Sequence, residues 1–343
     1  MSSKIIEVAV SQPLQNTPAK LEPAIISAWK QADTLLTQTP FKVESLSNKK
    51  LDTYQLSMDL GEVITFLAQA HAYDGGFTKY RQALRQGKTP VKEPVIRIEL
   101  IADAAPESTI AYYHAAAIAL QQLYLVLNIA TPGSCQFIDA KYLGDEALSF
   151  DPPSLDATPF IDAYLYSTNA QWPNLKHMDV SQTWNWLDQL KTSQTETAIL
   201  SINRVLFGLL ELGHSQFGLS DKDANLIYGL LGLLTDAEQN NNHALLRKRT
   251  ALILGDINDE GQFAHVLYQL KKQHNKGERP FRRQALKVHD YSEEQLRNLR
   301  IHNSPVEEGL AVILAILQQL CEEQGSGYRF HENVTTEPIT SVR

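Results

Sequence analysis

The hexapeptide Arg297-Asn298-Leu299-Arg300-Ile301-His302 carries the residue types in this chain best suited to chemistry. An imidazole with an ordinary pKa of about 6.5 can take up a proton at neutral pH. A guanidinium offers a planar fork that holds phosphate oxygens and stabilises charge developing on them. Together they suit cleavage of a phosphodiester next to a ribose 2′-hydroxyl, with His302 as general base and Arg297 on the non-bridging oxygens. The nucleophile then belongs to the RNA, so neither metal, cofactor nor covalent intermediate is required. The expected products are a 2′,3′-cyclic phosphate and a 5′-hydroxyl, and DNA is spared because it lacks the 2′-hydroxyl. The blander readings are a surface ion pair of Arg297 with Glu293 or Glu294, and a helix-end role for His302.

A second feature lies just upstream. Lys271, Lys272, Lys276, Arg279, Arg282, Arg283 and Lys287 face a single acid, Glu278. The chain carries −8 overall, so this run of about +6 leaves about −14 elsewhere. A basic patch on an acidic protein draws a polyanion to one place with salt-dependent affinity. With His274 at its head, the run is the expected RNA-docking surface; the alternative is a solvated charged loop. Three weaker candidates complete the inventory. His71 stands in a His-Ala-Tyr-Asp-Gly-Gly turn where it could touch a ligand. His265 reads as a polar-face residue. Trp184 reads as core, and neither it nor Trp186 need be a base-stacking platform.

Other chemistries lose ground by absence. The sequence holds no glycine-rich phosphate loop, GxSxG elbow, HExxH or CxxC. Its two cysteines, Cys135 and Cys321, have no partner at metal-ligand spacing, which argues against a disulfide framework or zinc site and for a reducing cytoplasm. The N-terminus lacks the pattern of a cleaved signal. The most apolar run, Ile110–Ala130, is interrupted by His114, Gln121, Gln122 and Asn128, and reads as a buried helix rather than a membrane span.

The elements that must position these residues fall into two halves. The 343 residues, 43% hydrophobic and 20% charged, suit two domains with a buried core each. Residues 1–150 alternate strand and helix patterns and predict an α+β domain. Strands are expected over Ile5–Val10, Phe41–Ser47, Leu51–Met58, Val95–Ala102 and Gln136–Tyr142, and helices over Pro23–Leu36, Gly61–His71 and Ser108–Asn128. Residues 151–178 read as a proline-rich junction, with Phe160–Tyr166 as a last strand. Residues 179–324 read as an all-α bundle, with Ser181 capping Gln182–Thr192 and a helix over Thr195–Leu212 that buries Ile199. Further helices are expected over Asp223–Leu234, Ala244–Leu254, Phe263–Lys272, Ser292–Ile301 and Val306–Glu323. The last two are separated by a break at Pro305 that leaves His302 at a helix end. Residues 325–343 are expected to form a partly ordered tail.

The stretch from Trp184 to Glu323 resembles the HEPN superfamily, in its Apea-like branch. The resemblance rests on WNWLDQL at the start, the apolar helix LIYGLLGLLT, and an LY that leads through basic residues to an Arg-Asn-x-x-x-His element. It implies a ribonuclease site composite across a homodimer, with Arg297 and His302 as the pair and Asn298 as the polar residue beside the arginine. In the Apea-like pattern the Arg and His come soon after the LY. Here that place reads Tyr268-Gln-Leu-Lys271-Lys272-Gln-His274, so either the site has moved to RNLRIH or this run is its degenerate form. The resemblance also implies RNA, with tRNA among the candidates, as substrate, and a toxin or anti-phage setting with an inhibitory or activating partner protein. Silent members of the superfamily supply the rival, a dimerisation or interaction module. A third reading makes residues 1–150 a ligand sensor.

Overall fold

The structure, a computed structural model, describes residues 2–11, 17–46, 48–89, 92–104, 108–144, 150–214, 223–237, 243–255, 263–276 and 293–330, without the side chains of 274 and 293–304. Strands β1 (Ser2–Ala9), β2 (Thr39–Glu44), β3 (Leu51–Asp59), β4 (Val95–Ala102) and β5 (Lys141–Tyr142) form an antiparallel sheet in the order β2-β3-β4-β1-β5. Alternation sets its register, because a slip of one residue would turn every apolar side chain to water. Ile6 lies opposite Ile98, Val8 opposite Ile96 and Leu56 opposite Leu100, all buried. The other face is polar, where Glu7 opposes Arg97 and accepts from it at 2.8 Å. Helices α2 (Gly61–Ala72) and α4 (Thr109–Ala130) pack on the sheet, α1 (Glu22–Leu35) packs on both, and α3 (Gly76–Arg85) packs on α2.

The rest of the described chain is helical: α5 (Thr158–Ala170), α6 (Val180–Gln189), α7 (Ser201–Gly213), α8 (Asp223–Leu234), α9 (His243–Leu254), α10 (Phe263–Asn275) and α11 (Glu293–Glu322). The fold is thus α+β followed by a helical region. Its buried side chains form one contiguous apolar cluster, not the two cores expected. Helix α4 sits at the centre and touches α1, α6, α7 and α11 as well as the sheet. By length and composition it could cross a membrane, yet 67% of its apolar window is buried inside the protein, as befits a core helix. Cys135 and Cys321 are both free and buried.

Several expected elements differ, each for a physical reason. Phe160–Tyr166 is helix, not strand: Pro159 falls in the first turn of α5, where no N–H is needed, and Asp156 accepts from the Thr158 N–H at 2.8 Å. The Asp74-Gly75-Gly76 turn conceals α3, which starts as soon as two glycines at φ +88° and +66° have reversed the chain. Of Gln136–Tyr142 only Lys141–Tyr142 pairs as strand. Asp179, not Ser181, caps α6, accepting from the Gln182 N–H at 2.9 Å. Helix α7 begins only at Ser201, and Ile199 is 85% exposed. The residues before it serve the sheet instead: Ser193 Oγ donates to the Lys42 carbonyl and the Glu196 N–H to the Glu44 carboxylate, each at 2.9 Å, along the outer edge of β2.

The largest correction concerns Pro305. It does not break the chain into two helices, because α11 runs through it without interruption. An interior proline typically costs about 3 kcal/mol through its lost N–H and ring clash. Here the burial of Val306, Leu310, Ile313, Leu314 and Leu317 beyond it offsets that cost.

Two buried polar groups on α11 fix its place. Gln318, 2% exposed, donates to the Ile129 carbonyl of α4 at 2.8 Å and to the Lys176 carbonyl at 2.9 Å, and accepts the Lys176 N–H at 2.9 Å. Leucine there would strand the buried Ile129 carbonyl and two part-buried backbone groups of Lys176, so Gln318→Leu should lose about 1–3 kcal/mol of stability. A urea midpoint unchanged from wild type would refute this account of the seam.

Glu308, 7% exposed, accepts a hydrogen bond from Tyr166 of α5. Burial drives its carboxyl up from 4.5 to about 7, and the Tyr166 bond only partly opposes the rise. Between those pH values the folded chain holds a proton that the unfolded chain has released. Stability contributed by Glu308 is therefore full below pH 4.5 and lost as pH rises to about 7. Glu308→Gln should flatten the stability profile over that window and gain about 1–3 kcal/mol above it, read by urea unfolding at a series of pH values.

Candidate functional site

Helices α8, α9 and α10 bring together a group of rings that are scattered along the sequence. Tyr228 of α8 and Tyr268 of α10 lie 5.9 Å apart between ring centroids. His243, the first residue of α9, stacks on Tyr268 at 5.5 Å with planes 26° apart. His265, one turn before Tyr268 on α10, meets His243 edge to face at 4.9 Å, with His265 Nδ1 3.4 Å from His243 Nε2. At the other end the Lys271 ammonium sits 4.7 Å from the Tyr228 ring centroid. The sequence spacing explains the shared face: His265, Tyr268 and Lys271 recur every three residues on α10. The ladder runs from buried Tyr228 out to exposed His265. Burial, and then the neighbouring Tyr268, push the Tyr228 phenol up, so it stays neutral at physiological pH.

Two devices hold the three helices in this arrangement. Gly309 of α11 lets the helices close up, since a Cβ there would come within 2.6 Å of Ile227 and 2.8 Å of Leu267. Arg249 of α9 is buried and donates to the Thr235 carbonyl at 2.9 Å and to the Asp236 carbonyl, which caps the C-terminus of α8. The Asp236 carboxylate adds an ion pair at 3.5 Å, and the Phe330 ring covers the guanidinium at 4.6 Å.

The expected site residues divide across this frame. Lys271 is part of the ladder, and Lys272 and Lys276 are exposed beside it at the end of α10. His274 is on α10, its side chain outside the described residues, and Arg279, Arg282 and Arg283 also lie outside them. Arg297, Asn298 and His302 fall on the first turns of α11. With the helix unbroken, five residues turn the chain through about 500°, so positions 297 and 302 sit about 140° apart around the axis. Position 302 comes one turn before Val306 and two before Gly309, on the stripe that meets α8 and α10. Position 297 comes eleven residues before Glu308, within about 20° of the stripe that meets α5. One chain therefore does not direct both positions to a single phosphate.

Of the weaker candidates, Trp184 and Trp186 are both buried, and the Trp186 indole donates to the Gly325 carbonyl at 2.8 Å, so neither offers a ring to a base. Sequence reading gave His243 no role and left His265 on a polar face. Their pairing depends on where α9 packs, and no local pattern signals it. Among the described residues no group of three or more His, Cys, Asp or Glu side chains is placed to hold a metal ion.

Comparison with protein-family models, curated proteins and solved structures finds no match to this chain. The chemical reading of the site therefore rests on its geometry. Flat rings followed by ammonium groups suit the bases and phosphates of a single strand. Were a single-stranded RNA to dock on the ladder, Tyr268→Ala would weaken its binding about 5- to 100-fold at low salt, and Lys271→Glu with Lys272→Glu would also reduce the salt slope by about 2. Filter binding across a salt series reads both effects, and an unchanged slope would dismiss the lysines as phosphate contacts.

Proposed function

We propose that this chain is a metal-independent endoribonuclease of HEPN type, in which Arg297, Asn298 and His302 act across a homodimer. The observation that carries the reading is the ladder of Tyr228, Tyr268, His243 and His265 with its lysines, borne on α8, α9 and α10, which pack against α11. RNA docks by stacking on the exposed His265 and the half-buried His243 and Tyr268, backed by buried Tyr228, and by phosphate contacts to Lys271, Lys272 and Lys276. The 140° offset along α11 is what makes a second copy necessary: a two-fold axis near the start of α11 sets the arginine of one chain against the histidine of the other. His302 then takes the 2′-hydroxyl proton, Arg297 neutralises the developing charge on the phosphoryl oxygens, and Asn298 holds the phosphate beside it.

The setting belongs to the same proposal. A reducing cytoplasm fits two buried free cysteines. A self-cleaving hazard to the cell fits a toxin or anti-phage role under a restraining or activating partner. One observation favours a second reading. The same offset on an unbroken α11 suits a silent dimerisation module, in which Lys271–His274 is a worn remnant of the site.

Cleavage of total tRNA and of a long single-stranded RNA in the presence of EDTA separates the two. Wild type should cut and leave cyclic-phosphate ends; Arg297→Ala and His302→Ala should each be at least about 100-fold slower. Mixing the two inactive variants should restore roughly a quarter of wild-type activity, because half of the dimers then carry one intact composite site. Equal cutting by wild type and both variants would rule out the assigned residues.

A further inference from the structure

His71 has no part in the proposed nuclease, yet the structure accounts for the turn in which it stands. Glu22, at the first position of α1, buries its carboxylate to 2% exposure. One oxygen lies 2.7 Å from His71 Nδ1, and the other accepts the Phe77 N–H at 2.9 Å. Gly76 makes this closure possible: its φ is +66°, and a Cβ there would sit 2.5 Å from one carboxylate oxygen and 2.8 Å from the other. The His-Ala-Tyr-Asp-Gly-Gly sequence is thus a clasp around a buried carboxylate. Since a carboxylate only accepts, Nδ1 carries the proton between them, and the ring is held in one orientation with Nε2 directed away from Glu22.

That ring borders an open depression of about 420 Å³ between two helix faces. Pro23, Ile26, Ser27 and Lys30 form the α1 wall, a stripe at spacings of three, four and seven; Ala68 and His71 form the α2 wall. Pro23, Ile26 and Ala68 give it an apolar floor. Ser27 Oγ accepts from Gln31 Nε2 at 3.3 Å, and its hydroxyl proton can still donate. The ammonium and hydroxyl of α1 and the imidazole of α2 therefore rim one apolar patch.

We propose that this depression binds a phosphate monoester with an apolar or aromatic body. The phosphoryl oxygens accept from the Nε2–H of a His71 imidazolium, which carries a proton on each ring nitrogen, from the Lys30 ammonium and from the Ser27 hydroxyl, and the body rests on Pro23, Ile26 and Ala68. Three donors match three terminal oxygens, and the positive rim suits a dianionic head better than a carboxylate. Glu22 is a positioning residue: it touches no ligand and fixes the imidazole. The site lies wholly in the α+β half, far in sequence from the α8–α10 ladder, and stands whether or not the chain cuts RNA.

Phenyl phosphate is the probe, with inorganic phosphate and benzoate as comparisons, added to the intact protein while the histidine imidazole nitrogens are followed by NMR. The His71 signals are assigned by their loss in His71→Asn, whose amide keeps a donor for Glu22. Phenyl phosphate should shift the His71 Nε2 resonance saturably below about 10 mM and raise the melting temperature, and it should bind at least about fivefold tighter than benzoate or inorganic phosphate. Lys30→Ala, an exposed change, should weaken it about 5- to 10-fold, and His71→Asn should abolish the melting shift while remaining folded. The proposal is overturned if His71 gives no saturable shift, or if either variant binds phenyl phosphate as tightly as wild type. Equal affinity for benzoate would overturn the phosphate assignment.

Discussion

The C-terminal end of α4 is buried, and its last carbonyls must find donors without water. An unmet buried carbonyl costs about 1–3 kcal/mol, so this end cannot be left open. The Leu127 carbonyl takes the Thr131 N–H at 2.8 Å and Ser134 Oγ at 2.7 Å. Ile129 is met by Gln318 of α11, and Ala130 by the Met178 N–H at 2.9 Å. Asn128, fully buried, ties the turn that follows by donating to the Cys135 carbonyl at 2.8 Å and accepting from the Gly133 N–H at 3.1 Å. Trp29 of α1 then donates to the Ser134 carbonyl at 2.8 Å, which extends the same network into the sheet-bearing half. Through these few atoms the end of α4 and its following turn are tied to α1 and α11.

Helix α11 passes that constraint on to the candidate site. Gln318 fixes its far end against α4, Glu308 and Tyr166 fix its middle against α5, and Gly309 sets how closely it approaches α8 and α10. Continuous through Pro305, it behaves as a rod whose rotational setting is decided well away from residues 297–302. The axial rotation of those positions is thus inherited from core packing. The ring ladder is set by that close approach and by the Arg249 cap on α8.

Much of the fold is legible in the sequence where one periodicity operates over a long stretch. The alternation of Val95–Ala102 and the unbroken apolar content of Ile110–Ala130 announce a one-sided strand and a core helix. Legibility fails where a residue serves two ends. Pro159 reads as a breaker but starts a helix, Pro305 reads as a break but is carried by the burial after it, and Thr195 and Glu196 read as the start of a helix although the Glu196 N–H instead bonds to Glu44 of the edge strand. Of the basic run, Lys271 is the residue that both stands out in the sequence by its charge and lies in the ring ladder. The pairing of His243 with His265 is not legible, since it joins two helices whose relative placement only tertiary packing decides.

The guarded edge of β2 bears on how this chain can have been put together. A portable module has a clean seam, crossed by a linker and little else. Here Ser193 and Glu196 of the helical half bond to Lys42 and Glu44, and Gln318 reaches a carbonyl 189 residues earlier. Grafting the α+β half onto a different helical region would bare a strand edge and strand a buried carbonyl at the same moment. The two halves are bound to diverge together, as one heritable unit, and shuffling of parts is closed to them.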